Sequence, residues 1–150
     1  VSCDDDGSAT WNSDIRDRGV VHTFPSGHVN VKVHPYAWQP SVVYNAPFDV
    51  YMMSSWGMGV DDDGLWFDSP SYLGFWVADQ PWGPWRQVHE EASWTPAGDV
   101  NARAYQPQIS PKWIAGDGRS FWLVFTDFQQ IEGRRPYYDF NVQKVELLTE

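Results

Sequence analysis

Prolines and glycines interrupt this chain every few residues, and between them almost nothing keeps a helical period. There are 12 Gly and 11 Pro, spread along its whole length. Proline removes a backbone donor and glycine loosens the chain, so a long helix has nowhere to form. The runs left between the breaks are short and rich in Val, Tyr, Phe and Trp. These side chains suit a pleated, half-buried surface. Strands are expected at Val29–Val33, Ser41–Tyr44, Asp49–Ser54, Gly74–Ala78, Trp85–His89, Gln108–Trp113, Phe121–Thr126 and Phe140–Leu147. The expected fold class is all-β, built from many short strands.

Within that pattern lies an internal repeat. "AWQPSVVYNAPFDVYMMSSW", from Ala37, aligns with "AYQPQISPKWIAGDGRSFWLVFTDF", from Ala104. Both open with Ala, an aromatic, Gln and Pro, and both continue through a turn into an apolar strand. A meander of three or four strands cannot bury both its faces, and radial stacking of such units would. The expectation is a β-propeller fragment of about two and a half blades, where a closed ring needs at least about four. Residues 1–19 form an N-terminal extension. Residues 20–150 form the partial propeller, with units near 34–91 and 101–150. Open sheet edges this apolar should not stand alone in water, so another chain or a missing segment is expected to complete the ring. A small sandwich of the same strands is the structural alternative.

Particular segments carry a resemblance. "WVADQPWGPWRQV", "YQPQISPKWIAGDGRSFWLVFTDF" and "YYDFNVQKVEL" resemble blade segments of five-bladed β-propeller glycoside hydrolases, over Tyr36 to Leu148. The resemblance is to blade architecture. It implies a polysaccharide substrate such as arabinan, xylan or fructan, with catalytic carboxylates drawn from different blades. The chain departs from the pattern in supplying half a ring, and in placing Gln39 and Gln106 where the openings resemble inner strands.

Charge narrows the partners. The chain has 20 acidic against 10 basic residues, a net charge of -10. Phosphate backbones need concentrated Lys and Arg, so nucleic acid is excluded as a partner, and anionic membranes are disfavoured. No 18-residue apolar run is present to span a bilayer. Neutral or weakly charged glycans remain. The start at Val1 reads as a mature or trimmed product, and the Trp- and Tyr-rich, Lys-poor composition fits a secreted protein. Cys3 is the only cysteine, either a free thiol or a link to another chain.

Hydrolysis of a glycosidic bond needs an acid to protonate the leaving oxygen and a second carboxylate as base or nucleophile. Glu91 is the candidate acid, with Glu90 and Trp94 beside it to perturb it, and Asp127 is the candidate base. Trp38, Gln39, Trp56, Trp66, Arg103, Tyr105, Gln106 and Arg134 are the candidate substrate-binding residues: aromatic faces for sugar C–H faces, amides and guanidinium groups for hydroxyls. A non-catalytic carbohydrate-binding propeller is the alternative, as is a polysaccharide lyase using His34, Tyr105 and the arginines. The stretch "DQPWGPW" reads as a hairpin turn clamped by Trp82 and Trp85. Asp61–Asp63 and Asp4–Asp6, each followed by Gly, are acidic loops with some capacity for Ca²⁺, though neither matches a calcium loop. The four histidines show no zinc spacing, and no metal site or cofactor is expected. His34 and His89 are candidates to border a cleft.

Overall fold

The structure of the chain, a computed structural model, describes residues 2–24, 38–61, 63, 67–129 and 137–148. Alternation decides its architecture. In Val50–Gly57, Met52, Ser54 and Trp56 lie on one face while Met53 and Ser55 lie on the other, and all are buried. A strand buried on both faces has to sit inside a sheet, and this one does.

Two-residue strands β1 (Ser2–Cys3) and β2 (Ala9–Thr10) pair at the N-terminus. The first large sheet is an antiparallel meander of β3 (Trp38–Asn45), β4 (Val50–Gly57), β5 (Ser71–Ala78) and β6 (Arg86–Trp94). The second is a meander of β7 (Ala104–Ile114), β8 (Ser120–Gln129) and β9 (Tyr137–Glu146). Seven of the expected strands overlap these elements, four of them wholly within, and each observed strand is longer than expected. Val29–Val33 lies outside the described residues.

The two sheets pack face to face. Val43, Met52, Trp56 and Leu73 from the first meet Ile109, Phe121, Leu123 and Phe125 from the second in one buried cluster. Burial of each such side chain contributes about 1.5–3 kcal/mol. Polar bonds fix the approach. Trp56 Nε1 donates to Ala104 O at 2.8 Å, Ser54 Oγ to Pro107 O at 3.3 Å and Asn45 Nδ2 to Gly118 O at 2.9 Å. Gly118 sits at φ 74° in the "AGDG" turn, and a Cβ there would lie 2.6 Å from Asn45 Oδ1, so this contact requires glycine.

The outer face of the first sheet holds a second cluster, Met53, Tyr72 and Trp76, against which Phe24 and Trp85 pack. Trp82 of the "DQPWGPW" turn stacks edge-on with Trp11 at 5.2 Å and donates to Gly7 O. Gly7 and Trp11 of the N-terminal extension thus engage the turn between β5 and β6. On the second sheet, Trp122, Phe140 and Val142 are exposed.

This architecture corrects the propeller expectation and the resemblance behind it. Besides the β1–β2 pair, the described residues form sheets of four and three strands, with no closed ring and no radial series of blades. Each sheet buries its inner face against the other, so no third unit is needed to complete the core. The 67-residue offset survives only locally: Gln39 and Gln106 both adopt left-handed backbone at irregularities in β3 and β7, and Gln106 Nε2 donates to Gln39 Oε1 at 2.9 Å. With no ring to close, the second chain expected to complete it has no place.

Candidate functional site

Three regions gather chemistry-bearing side chains. The first is the junction where β3 meets β7. Trp56 and Tyr105 rings meet at 5.2 Å, Phe67 and Tyr138 extend the row, and the Gln39–Gln106 bond lies at the surface. Arg103 is spent on backbone here. Its guanidinium donates to the carbonyls of Phe67, Asp68, Val100 and Ala102, and its N–H donates to Asp127 Oδ1 at 2.8 Å. The junction therefore brings together Gln39, Trp56, Arg103, Tyr105 and Gln106, with Asp127 behind them. Trp56 is only 1% exposed, so its ring faces protein. Trp38 contributes backbone to β3. Trp66 and Arg134 lie outside the described residues.

The second region is a shallow hollow of about 340 Å³ bordered by Asp99, Phe125, Asp127, Asp139 and Asn141. Asp127 and Asp139 are direct partners across β8 and β9. Asp127 is largely buried and accepts the Arg103 N–H, which ties the loop before β7 to β8.

The third is a groove of about 500 Å³ between the sheets, on the side away from the junction. At the β3–β7 side the sheets are close, and towards β6 and β9 they splay. Trp94 Nε1 donates to Gln143 Oε1 at 3.2 Å and pins one end of the opening. Leu73, Phe75 and Val88 line one wall, and Phe121, Val145 and Leu147 line the other. Charged groups sit at the rim. His89 Nε2 lies 3.5 Å from a Glu91 carboxylate oxygen, and Lys144 Nζ lies 2.8 Å from Glu146.

This geometry overturns the hydrolase reading. Glu91 borders the groove and Asp127 borders the hollow, so the expected acid and base open into different concavities. Glu90 and Glu91 lie within β6, not beyond it, and adjacent strand positions point to opposite faces. Glu90 turns outward, accepting from Tyr72 Oη and Gln87 Nε2, while Glu91 faces the groove beside His89. The two acids therefore do not act on a common point. Among the described residues no group of three His, Cys, Asp or Glu is placed to hold a metal ion. In the loop at Asp4–Asp6, Ser8 donates to both Asp4 and Asp6. The loop at Asp61–Asp63 falls partly outside the described residues, as does His34.

Several groove residues carry no motif: Val88 is the extra residue at an irregularity of β6, and Val145 and Leu147 only continue an alternating strand. His89, by contrast, stands out in the sequence as a cleft candidate. No protein-family model, curated protein or solved structure matches the chain. Among the described residues the glycosidase and lyase readings therefore have neither scaffold nor site, and the glycan partner inferred from that scaffold falls with them.

Proposed function

We propose that this domain is a binding module, not a hydrolase, and that its groove holds one elongated apolar molecule, neutral or cationic at its polar end. The observation that carries the reading is the groove itself: a concave, apolar-lined opening of about 500 Å³ with charged groups only at its rim. Ligand sites are typically concave, largely apolar and of roughly 300–1,000 Å³, with a few polar groups to fix orientation. Charge selects the end group. At the mouth two carboxylates, Glu91 and Glu146, outnumber the one lysine, Lys144, and the chain carries -10 overall. An anionic head would meet repulsion there, whereas an alcohol or ammonium would not.

The test is displacement of the neutral dye N-phenylnaphthylamine by decanol, decylamine and decanoate. The dye should brighten on binding, and decanol and decylamine should displace it at least about tenfold better than decanoate. Val88→Asp, which sets a carboxylate at the half-exposed mouth, should weaken the dye by a similar factor without loss of fold. Equal displacement by all three compounds, or dye binding untouched by Val88→Asp, overturns the proposal.

A further inference from the structure

A sheet with two free edges has two places to accept another strand, and the four edge strands of this molecule differ in how they are guarded. β3 and β7 border one another, and the pairing of each with its neighbour is irregular. β6 breaks register with β5 twice and carries consecutive glutamates, Glu90 and Glu91. Bulges and charges of this kind blunt an edge against pairing. β9 lacks the bulges, although Asp139, Lys144 and Glu146 lie along it. It pairs with β8 through ten successive residues without a shift, from Gln129↔Tyr137 to Ser120↔Glu146. Among the described residues nothing pairs with its other side. Its outward side chains include exposed Tyr138, Phe140 and Val142, with Phe140 72% exposed. A long, regularly paired edge with a row of exposed apolar side chains is a template for another chain.

The sequence of β9 says which chain. We propose that β9 pairs antiparallel with β9 of a second copy, about a two-fold axis through Asn141, giving a continuous six-stranded sheet. Directly opposed residues in an antiparallel pair share a face, so only registers with an even sum of residue numbers keep outer residues with outer ones. With the axis at Asn141, Phe140 meets Val142 of the second copy, an aromatic and β-branched pair of the favourable kind. Tyr138 meets Lys144, a cation over a ring. Asp139 meets Gln143, which can donate to it, and Asn141 meets itself. No like charges oppose one another. Of the two neighbouring permitted registers, the axis at Val142 sets Asp139 against Val145 and is disfavoured by that mismatch, while the axis at Phe140 sets Phe140 against itself and Tyr138 against Val142 and is the alternative that the mixing experiment below tests. One bond along the strand, Asn141 Nδ2 to Asp139 O at 3.0 Å, exchanges for an intermolecular one on pairing. This contact extends a sheet through its edge, closes no ring, and runs past Gln143 and Lys144 at the border of the groove.

Salt gives the association its signature. Each copy carries -10, so long-range repulsion opposes pairing while the contact itself is locally complementary. Raising salt screens that repulsion, and the dimer should tighten from about 20 mM to about 300 mM NaCl. A basic foreign segment on the same edge would show the opposite dependence.

Sedimentation equilibrium of the full chain tests the proposal. The expected result is a species of twice the 17.2 kDa of one chain, strengthened by salt. Phe140→Lys and Val142→Glu, each separately, should raise the dissociation constant at least about tenfold. Mixing the two variants should restore much of the association, because the introduced lysine of one copy then faces the introduced glutamate of the other. Circular dichroism of each variant confirms that the exposed substitutions leave the fold intact. A wild-type chain that stays monomeric at about 300 mM salt overturns the proposal. So does a dimer indifferent to both variants, and a mixture without rescue overturns the register.

Discussion

The outer faces of the two sheets are made from similar residues and end differently. On the first sheet, Met53, Tyr72 and Trp76 are buried beneath Phe24 and Trp85. Phe24 and Trp76 rings meet edge-on at 5.2 Å, and His22 joins them at 4.8 and 5.9 Å. On the second sheet, Trp122 is 40% exposed, and Phe140 and Val142 stand open beside it. The same alternation of apolar residues thus yields a sealed face in one place and a bare one in the other. What differs is a segment far away in sequence. Among the described residues the chain supplies its own cover once, from before β3, and an exposed apolar face marks a place where an interaction is to be expected.

The largest effect that would break this comparison is on the tryptophans at the two centres. Trp76→Ala empties a site that is 1% exposed and should cost roughly 3–5 kcal/mol. Trp122→Ala on the bare face should cost about 1 kcal/mol or less. Urea titrations of both variants measure the contrast. Similar losses would mean that the second face is sealed in solution, and the distinction between the faces would disappear.

Much of this contrast is hidden from sequence for a physical reason. Strand positions are local: "VYMMSSW" and "SFWLVFTDF" alternate with period two, and that alternation fixes which side chains share a face. The number of sheets is not local. "AWQP" and "AYQP" announce two equivalent hairpins, yet the same two openings serve a ring of blades or two sheets laid face to face. The misplacement of Glu90 and Glu91 has a simple origin. The expected strand ends at His89, whereas β6 runs to Trp94, and five further residues turn two adjacent loop acids into acids on opposite faces. The groove is the least legible feature. Its walls come from β5, β6, β8 and β9, and ordinary Val, Leu and Phe line it, so nothing distinguishes them from core until the splay of the sheets is known. Nothing in glutamine signals the left-handed backbone of Gln39 and Gln106.

A smaller effect sharpens the role of the cover. Phe24 is half-buried against Trp76, and Phe24→Ala should cost about 1–2 kcal/mol, the share of a ring's transfer energy that its partial burial provides. It should also raise binding of a hydrophobic dye, because the face beneath becomes accessible. Val20, exposed in the same segment, serves as the control: Val20→Ala should change neither quantity. A Phe24→Ala variant as stable and as dye-inert as Val20→Ala would show that the segment rests on the sheet without sealing it.

The smallest effect concerns the imidazole within the cover. His22 Nε2 is buried without a hydrogen-bond partner, and the rings of Phe24 and Trp76 face it. On the sheet face beneath, the titratable groups Tyr72 and Glu90 bond to one another and to Gln87. Desolvation therefore holds the His22 pKa below its ordinary 6.5, because the charged form loses water and gains nothing in return. The sign follows from linkage. Above about pH 7 the imidazole is neutral whether the chain is folded or unfolded, and its contribution is fully present. As pH falls past 6.5 the unfolded chain takes up the proton first, so stability is lost until the folded imidazole also titrates. His22→Phe keeps an aromatic ring in the cover and removes the titration. Its unfolding free energy should decline less between about pH 7 and pH 5 than that of the parent chain. The difference should be small, since the ring is only partly enclosed. Carboxylates held by Arg16 and Ser8, Asp14 and Asp6, lose their contributions at lower pH and leave this window largely undisturbed. Parallel pH profiles for the two proteins would mean that the imidazole reaches water, and that the cover is open at His22 while closed at Phe24.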